Sequence, residues 1–263
     1  MLELIVAGAL VQSAPFNPPI DRPLVQITEQ VRSDAAGERR YRVERALRFG
    51  RDAEGLFADL TLTRIDGEAD DNRFEQGLAG LKGRTIRYRL DPQGRLTTIP
   101  GMDGHWAAFS AGLTRSAPPG AGTRIISALR SAPPTQQRAM LWSMVEPLIL
   151  ADIAAQPPYR LRPVSQPGRP PFATGAMLSG TESLSHAPDG GVELRRIVRG
   201  SHGAPIDPNA ATEAVERERE TRITLNPATG LLARSVEVTR TRIGTAEQLV
   251  TTTLSISENG AGN

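Results

Sequence analysis

The chain has 263 residues, 39% of them hydrophobic and 23% charged, and it contains no cysteine. Disulfides, iron–sulfur clusters and cysteine-built zinc sites are therefore excluded, while the length suffices to bury a core without covalent staples. Lys+Arg 31 against Asp+Glu 29 leaves a formal charge of +2, a near-balance that argues against nucleic-acid binding, which needs cations clustered on one face.

Residues 4–11 form an uncharged apolar run, long enough for the core of a signal peptide and too short to cross a bilayer. Ser13 precedes a plausible cleavage point before Ala14. The expectation is a signal peptide over 1–13 and a periplasmic or secreted protein. Against it stands a first segment without Lys or Arg that carries Glu3, so a first strand or buried helical turn of a cytosolic protein is the competing reading. No cysteine follows the apolar run to anchor a lipid, and no transmembrane helix is expected.

Residues 14–23 read as a linker, because Pro18, Pro19 and Pro23 each remove a donor and restrain the preceding residue. A single β-rich domain is expected over 24–257. Val25, Ile27 and Val31 share one parity; so do Tyr41, Val43, Leu47 and Phe49, with Arg40, Arg42, Glu44 and Arg48 opposite. This two-residue period predicts strands with one wet face. Turns at 34–37 and 51–55 make an antiparallel meander that continues through Leu56, Ala58, Leu60 and Leu62. Residues 70–81 read as a short helix or crossover, followed by a strand through Ile86, Tyr88 and Leu90 and a hairpin turn at 91–94.

The middle of the chain, about 102–155, reads as a helical insertion. Trp106, Phe109 and Leu113 have helical spacing, residues 123–129 suit another turn or two, and 134–155 is the strongest helical stretch. It is apolar nearly all round, so it should be covered on every side, and Pro147 should kink it. Residues 157–171 are proline-rich and extended. Strands then return through Leu178 and Leu184, through Val192, Leu194 and Val198, over 215–225, over 231–243, and through Val250, Leu254 and Ile256. Residues 201–209 read as a loop and 258–263 as a flexible tail. The alternating Glu216, Arg217, Glu218, Arg219 and Glu220 reads as a solvated face. The turns at 91–94 and 226–230 echo one another, each an Asx-Pro corner that resumes after Gly.

Strands, helices, strands in that order predict an α+β fold: a strongly curved antiparallel β-sheet of two meanders wrapped around the central helical insertion. This order, with Tyr88-Arg89-Leu90-Asp91-Pro92-Gln93-Gly94 and Thr224-Leu225-Asn226-Pro227-Ala228-Thr229-Gly230 at its turns, resembles the curved half-barrel of periplasmic lipoprotein carriers and related mycobacterial lipoproteins, and uncharacterised bacterial envelope proteins. The resemblance spans 24–256 in element order. It implies a hydrophobic cavity between helices and sheet that accepts acyl chains, lined here by Trp106, Phe109, Trp142, Met144, Val145, Leu148 and Tyr88. Those side chains suit variable apolar ligands, and they equally suit an ordinary packed core. The expected function is thus a non-catalytic periplasmic binding or carrier module for a lipid or other apolar small molecule. The alternative is a structural or protein-interaction component of the cell envelope.

No enzyme is expected. His105 with Asp103 and Ser110 suggests a base, an acid and a hydroxyl, but no nucleophile elbow accompanies them, and Asp103 reads as a helix N-cap. Glu146 is expected to pair with an arginine and Asp152 to be exposed. No glycine-rich phosphate loop is present.

Overall fold

A computed structural model describes residues 16–67, 78–115, 131–167, 177–187, 190–204 and 213–258. The expected signal peptide, the crossover over 70–77, the helical turns over 123–129 and the tail beyond 258 lie outside the described residues.

Five strands come first: β1 Pro23–Asp34, β2 Gly37–Asp52, β3 Gly55–Gly67, β4 Thr85–Leu90 and β5 Leu96–Thr98. Helix α1, Met102–Arg115, and helix α2, Pro134–Trp142, follow, then a 3-10 turn at Glu146–Leu148 and a short helix α3, Ala151–Ala154. Six strands complete the chain: β6 Tyr159–Pro167, β7 Met177–His186, β8 Val192–Ala204, β9 Glu213–Asn226, β10 Leu231–Ile243 and β11 Ala246–Glu258. All pair antiparallel in one 11-stranded sheet, ordered β5-β4-β3-β2-β1-β11-β10-β9-β8-β7-β6. The two meanders thus meet where β1 pairs with β11, Leu24 opposite Glu258 through Ser33 opposite Leu249. The sheet does not close into a barrel: β5 and β6 are its edges.

Register decides which parity faces inward. Leu47 of β2 stands opposite Leu24 of β1, and Leu47, Phe49, Leu60 and Tyr88 are all buried. The inner face of β1 is therefore Leu24, Gln26, Thr28, Gln30 and Arg32. Val25, Ile27 and Val31 lie on the outer face and are only half-buried. The wet face of β2 is as expected, but its buried face is not purely apolar, because Arg45 shares the inward parity with Val43 and Leu47 and is 5% exposed, its guanidinium donating to Thr28 Oγ1 at 3.0 Å.

The proline-rich start does not behave as a linker. Phe16 is buried and meets Phe49 edge-on at 5.7 Å, while Asn17 N donates to Thr229 O at 3.2 Å. The extended 157–171 stretch is in part the edge strand β6, where Pro163 and Pro167 are tolerated because an edge carries fewer ladder hydrogen bonds. The loop expected from 201 begins later, since β8 runs to Ala204.

The long helix expected over 134–155 is broken. Helix α2 ends at Trp142, because carrying it through Pro147 would remove one N–H and press the ring on Ser143 O. Within α2 only Leu141 is buried, and full burial continues at Val145 and Leu148 around the break. The break frees backbone carbonyls, and the sheet answers them: Tyr88 Oη donates to Leu141 O at 3.0 Å and Gln26 Nε2 to Met144 O at 3.3 Å. These bonds explain why polar side chains persist on a buried face, where an unmet carbonyl is costly.

The two echoing turns hold the segment after the break. In each, an Asx side chain receives a backbone N–H two residues on, Gln93 N to Asp91 Oδ1 at 2.9 Å and Ala228 N to Asn226 Oδ1 at 2.9 Å. Gly94 and Gly230 have φ of 81° and 71°. A Cβ at Gly94 would lie 2.7 Å from Ile149 Cγ2 and 2.8 Å from Phe16 Cδ1, and one at Gly230 would lie 2.9 Å from Ala151 Cβ. Ile149 also bridges to Leu231 of β10. One isoleucine therefore reaches both the β4–β5 turn and β10, positions five strand spacings apart, about 24 Å on a flat sheet.

Candidate ligand-binding surface

The inner face divides into two halves along the strands. Near the 91–94 and 226–230 turns it is covered by the helical segments. Towards the 34–37 hairpin it is less covered: Arg32, Arg39, Thr239, Val250 and Thr252 are half-buried, while Leu178, Val198 and Val215 form a small buried cluster on its β7–β9 side.

The covered half contains every residue expected to line a cavity. Tyr88, Trp106, Phe109, Met144, Val145 and Leu148 belong to one buried cluster with Phe49, Leu60 and Ile86, and half-buried Trp142 packs against it. Trp106 and Phe109 stack at 5.2 Å, and Tyr88 meets Trp142 at 5.8 Å. Burial pushes the Tyr88 phenol well above its usual range. The structure thus brings the seven residues together, in contact with one another. A second cluster of Leu184, Val192, Leu194 and Leu225 shares Leu150 and Ile223 with the first.

Helix α1 carries the trio that sequence suggested. Asp103 is not the N-cap but lies inside the first turn of a helix that begins at Met102, where a carboxylate favours the helix dipole. His105 Nδ1 and Ser110 Oγ are buried without hydrogen-bond partners, so neither bonds to the other; Trp106 Nε1 is likewise unpartnered. Burial pushes the His105 imidazolium down, and the charge of Arg84 acts in the same direction. Glu146 and Asp152 are both exposed. Among the described residues, no group of three or more His, Asp or Glu is placed to hold a metal, and no helix is long and apolar enough to cross a membrane.

The open half was not anticipated. Following register across the sheet, Arg32 stands opposite Arg39 on β2 and Val250 on β11. Thr239 of β10 stands opposite Val250 and Arg219 of β9. One row further, Gln248 faces Thr241, which faces Arg217. The result is a trough. Its floor is Thr239, Val250 and Thr252, each half-buried, with arginines on both banks about three strand spacings apart, about 14 Å.

The signal for this trough was the alternation over 216–220. A two-residue period sends alternate side chains to opposite faces, so it separates the charges. Glu216, Glu218 and Glu220 point outward, to Arg242 at 3.7 Å, Arg199 at 3.1 Å, Arg195 at 3.0 Å and Arg222 at 2.9 Å. Arg217 and Arg219 point inward. Arg217 Nε donates to Thr241 Oγ1 at 3.3 Å, and burial, aided by the charge of Arg219, pushes its guanidinium below the usual range. Arg219, 8% exposed, lies 3.5 Å from Glu237, and Arg39 meets Asp34 at 2.6 Å. A recess of about 390 Å³ at the strand ends is lined mostly from the outer face, by Arg199, Glu216, Glu218, Arg240 and Arg242, with Arg217 beside them.

Beyond the trough, Glu182 on β7 is buried and receives Tyr159 Oη at 2.8 Å, Arg162 Nε at 2.6 Å and Arg196 Nε at 2.8 Å. Burial works against its carboxylate, but these donors outweigh it and hold the group below its ordinary range. This node ties three strands at the β6 edge and leaves the carboxylate well satisfied.

No protein-family model matches the chain, and no curated protein matches it significantly.

Proposed function

We propose that this chain is a non-catalytic binding or carrier module of the bacterial periplasm for a lipid or other apolar ligand, its sheet curved as a half-barrel around the helical segment. The observation that carries this reading is the inner face itself. It runs without interruption from an apolar half beneath the helices to an open half lined by Thr239, Val250 and Thr252. The span from the β4–β5 turn to β10 that Ile149 bridges supports the curvature, as in the periplasmic lipoprotein carriers that the element order resembles. A ligand chain would enter by displacing the broken α2 segment, which is held by buried Leu141, Val145 and Leu148 and by the side-chain bonds of Tyr88 and Gln26.

Mass spectrometry of an organic extract, with the intact mass, tests the reading on protein produced with its own N-terminus in a Gram-negative host. Near-stoichiometric lipid on a chain beginning at Ala14 is expected. An uncleaved chain without lipid overturns both the compartment and the carrier.

The second reading is an envelope protein that engages another protein. It is favoured by the close packing of the covered half and by two apolar side chains exposed at the β6 side of the sheet, Leu161 at 70% and Met177 at 49%. Trp142→Ala separates the two. A carrier loses lipid with small loss of stability, whereas a purely packed position costs about 3–5 kcal/mol and changes no binding.

A further inference from the structure

We infer that the open half of the inner face is a headgroup site, and that the ligand of this protein is an acyl amphiphile with an anionic head seated between Arg32 and Arg39 on one bank and Arg217 and Arg219 on the other. The inference rests on the carrier reading and specifies its ligand.

Three observations support it. First, the two faces of the same strands differ in charge. On the outer face each of Glu216, Glu218 and Glu220 has an arginine within 4 Å. Among the described side chains of the open inner half, Arg32, Arg39, Arg162, Arg196, Arg217 and Arg219 share that face with only Asp34, Glu182 and Glu237. Glu182 is already claimed by Arg162 and Arg196.

Second, these arginines are engaged, and Arg32 Nε, Arg39 Nε and Arg219 Nε make no hydrogen bond. Asp34 holds Arg39, Glu237 holds Arg219, and Arg32 and Arg217 have neighbours of their own. A guanidinium carries five N–H donors, so one carboxylate or hydroxyl leaves donors for a second anion. Arg217 and Arg219 lie close enough for each other's charge to count, and an anion between them relieves that repulsion. Third, the trough adjoins the apolar half along the same strands: Val43 and Leu47 lie on the inner face of β2 with Arg39. An amphiphile meets that change of surface with its own change from chain to head.

The test is a titration with two phospholipids of identical fluorescent acyl chains, one with a phosphoglycerol head and one with a phosphocholine head, and with glycerol phosphate alone. The phosphoglycerol lipid is expected to bind at least about tenfold tighter than its zwitterionic twin, the equivalent of one charge-assisted hydrogen bond, and to weaken with salt. R217Q with R219Q should abolish that preference, bringing the two lipids to the same affinity. R39Q, on the more exposed bank, should reduce it without the risk of misfolding that attends buried Arg219, and outward-facing R195Q should do nothing. Equal binding of the two lipids overturns the headgroup site and leaves the carrier reading standing. Glycerol phosphate binding as tightly as the lipid also overturns it, in favour of a free-anion site. If neither lipid binds, the carrier reading falls and takes the headgroup site with it.

Discussion

Along β2 the inner face changes from Phe49, Leu47 and Val43, which are buried in the main core, to Arg39, which is 38% exposed and bound to Asp34. Along β9 it changes from Leu225 and Ile223 to Arg219 and Arg217. The β1–β2 ladder runs unbroken through both halves and the β9–β10 ladder continues past one register shift at Leu232/Arg234, so strand propensity does not distinguish them. Coverage does. Under the helices two polar side chains of the sheet find backbone acceptors, Tyr88 at Leu141 O and Gln26 at Met144 O. Beyond them, guanidiniums keep some water and some partners, and the cost of a half-satisfied charge stays small.

If that contrast is right, substitutions in the covered half should cost most. Phe109→Ala, at 1% exposed, is expected to lose about 3–5 kcal/mol in urea denaturation, the usual range for a buried aromatic. A loss under about 1 kcal/mol would mean that the helices do not pack on the sheet.

Glu182→Gln attacks a strongly satisfied charge node on the inner face. Removing the carboxylate leaves Arg162 and Arg196 facing each other without an anion, and about 2–4 kcal/mol should be lost near neutral pH. The sign with pH follows from the lowered folded-state pKa, against an ordinary value of 4.5. The stabilisation is fully present above pH 4.5 and is lost as pH falls through the lower folded value. The gap between parent and variant, followed by chemical denaturation, should therefore narrow on acidification. A constant gap would show that packing, not charge, holds the node.

Gly94→Ala and Gly230→Ala sharpen the picture of how the helical segment is held. Both glycines combine positive φ with a neighbour inside 3.0 Å of a Cβ, so each should cost about 1–3 kcal/mol. Gly37→Ala, at φ 117° with nothing within 4 Å of a Cβ, has the strain alone and should cost less. Equal melting temperatures for all three would break the proposed docking of residues 149–151 on the two turns. The smallest effect belongs to the outer face: Arg195→Ala removes a solvated pair with Glu220 and should change stability by under about 1 kcal/mol.

Much of the fold was legible because β structure writes its period into the residues. The limits of β10, Leu231–Ile243, coincide with the stretch whose alternation predicts it, and the Asx-Pro-Gly turns bind their backbones as their composition requires. The candidate apolar residues were legible as a group, since the seven all pack at one cluster or against it. Legibility failed at Val25, Ile27 and Val31, whose shared parity is real but points outward, and at residues 134–155, where one proline divides what composition joins. It failed most usefully at Glu216–Arg217–Glu218–Arg219–Glu220. The alternation was visible, yet its meaning depended on which face lay against the rest of the molecule.

Sequence by itself determined the elements that rest on neighbours in the chain: the period-two strands, the hairpin turns, the helical character of α1 and the absence of cysteine chemistry. Tertiary structure alone decided that β1 and β11 pair to make one sheet, that Phe16 docks on Phe49, and that Glu216, Glu218 and Glu220 of β9 face out while Arg217 and Arg219 face in. The reason is range. Turn and strand preferences act over a few residues, whereas the choice between two otherwise equivalent strand faces is made by whatever packs against one of them, here helices about fifty or more residues away from β2 or β9 along the chain.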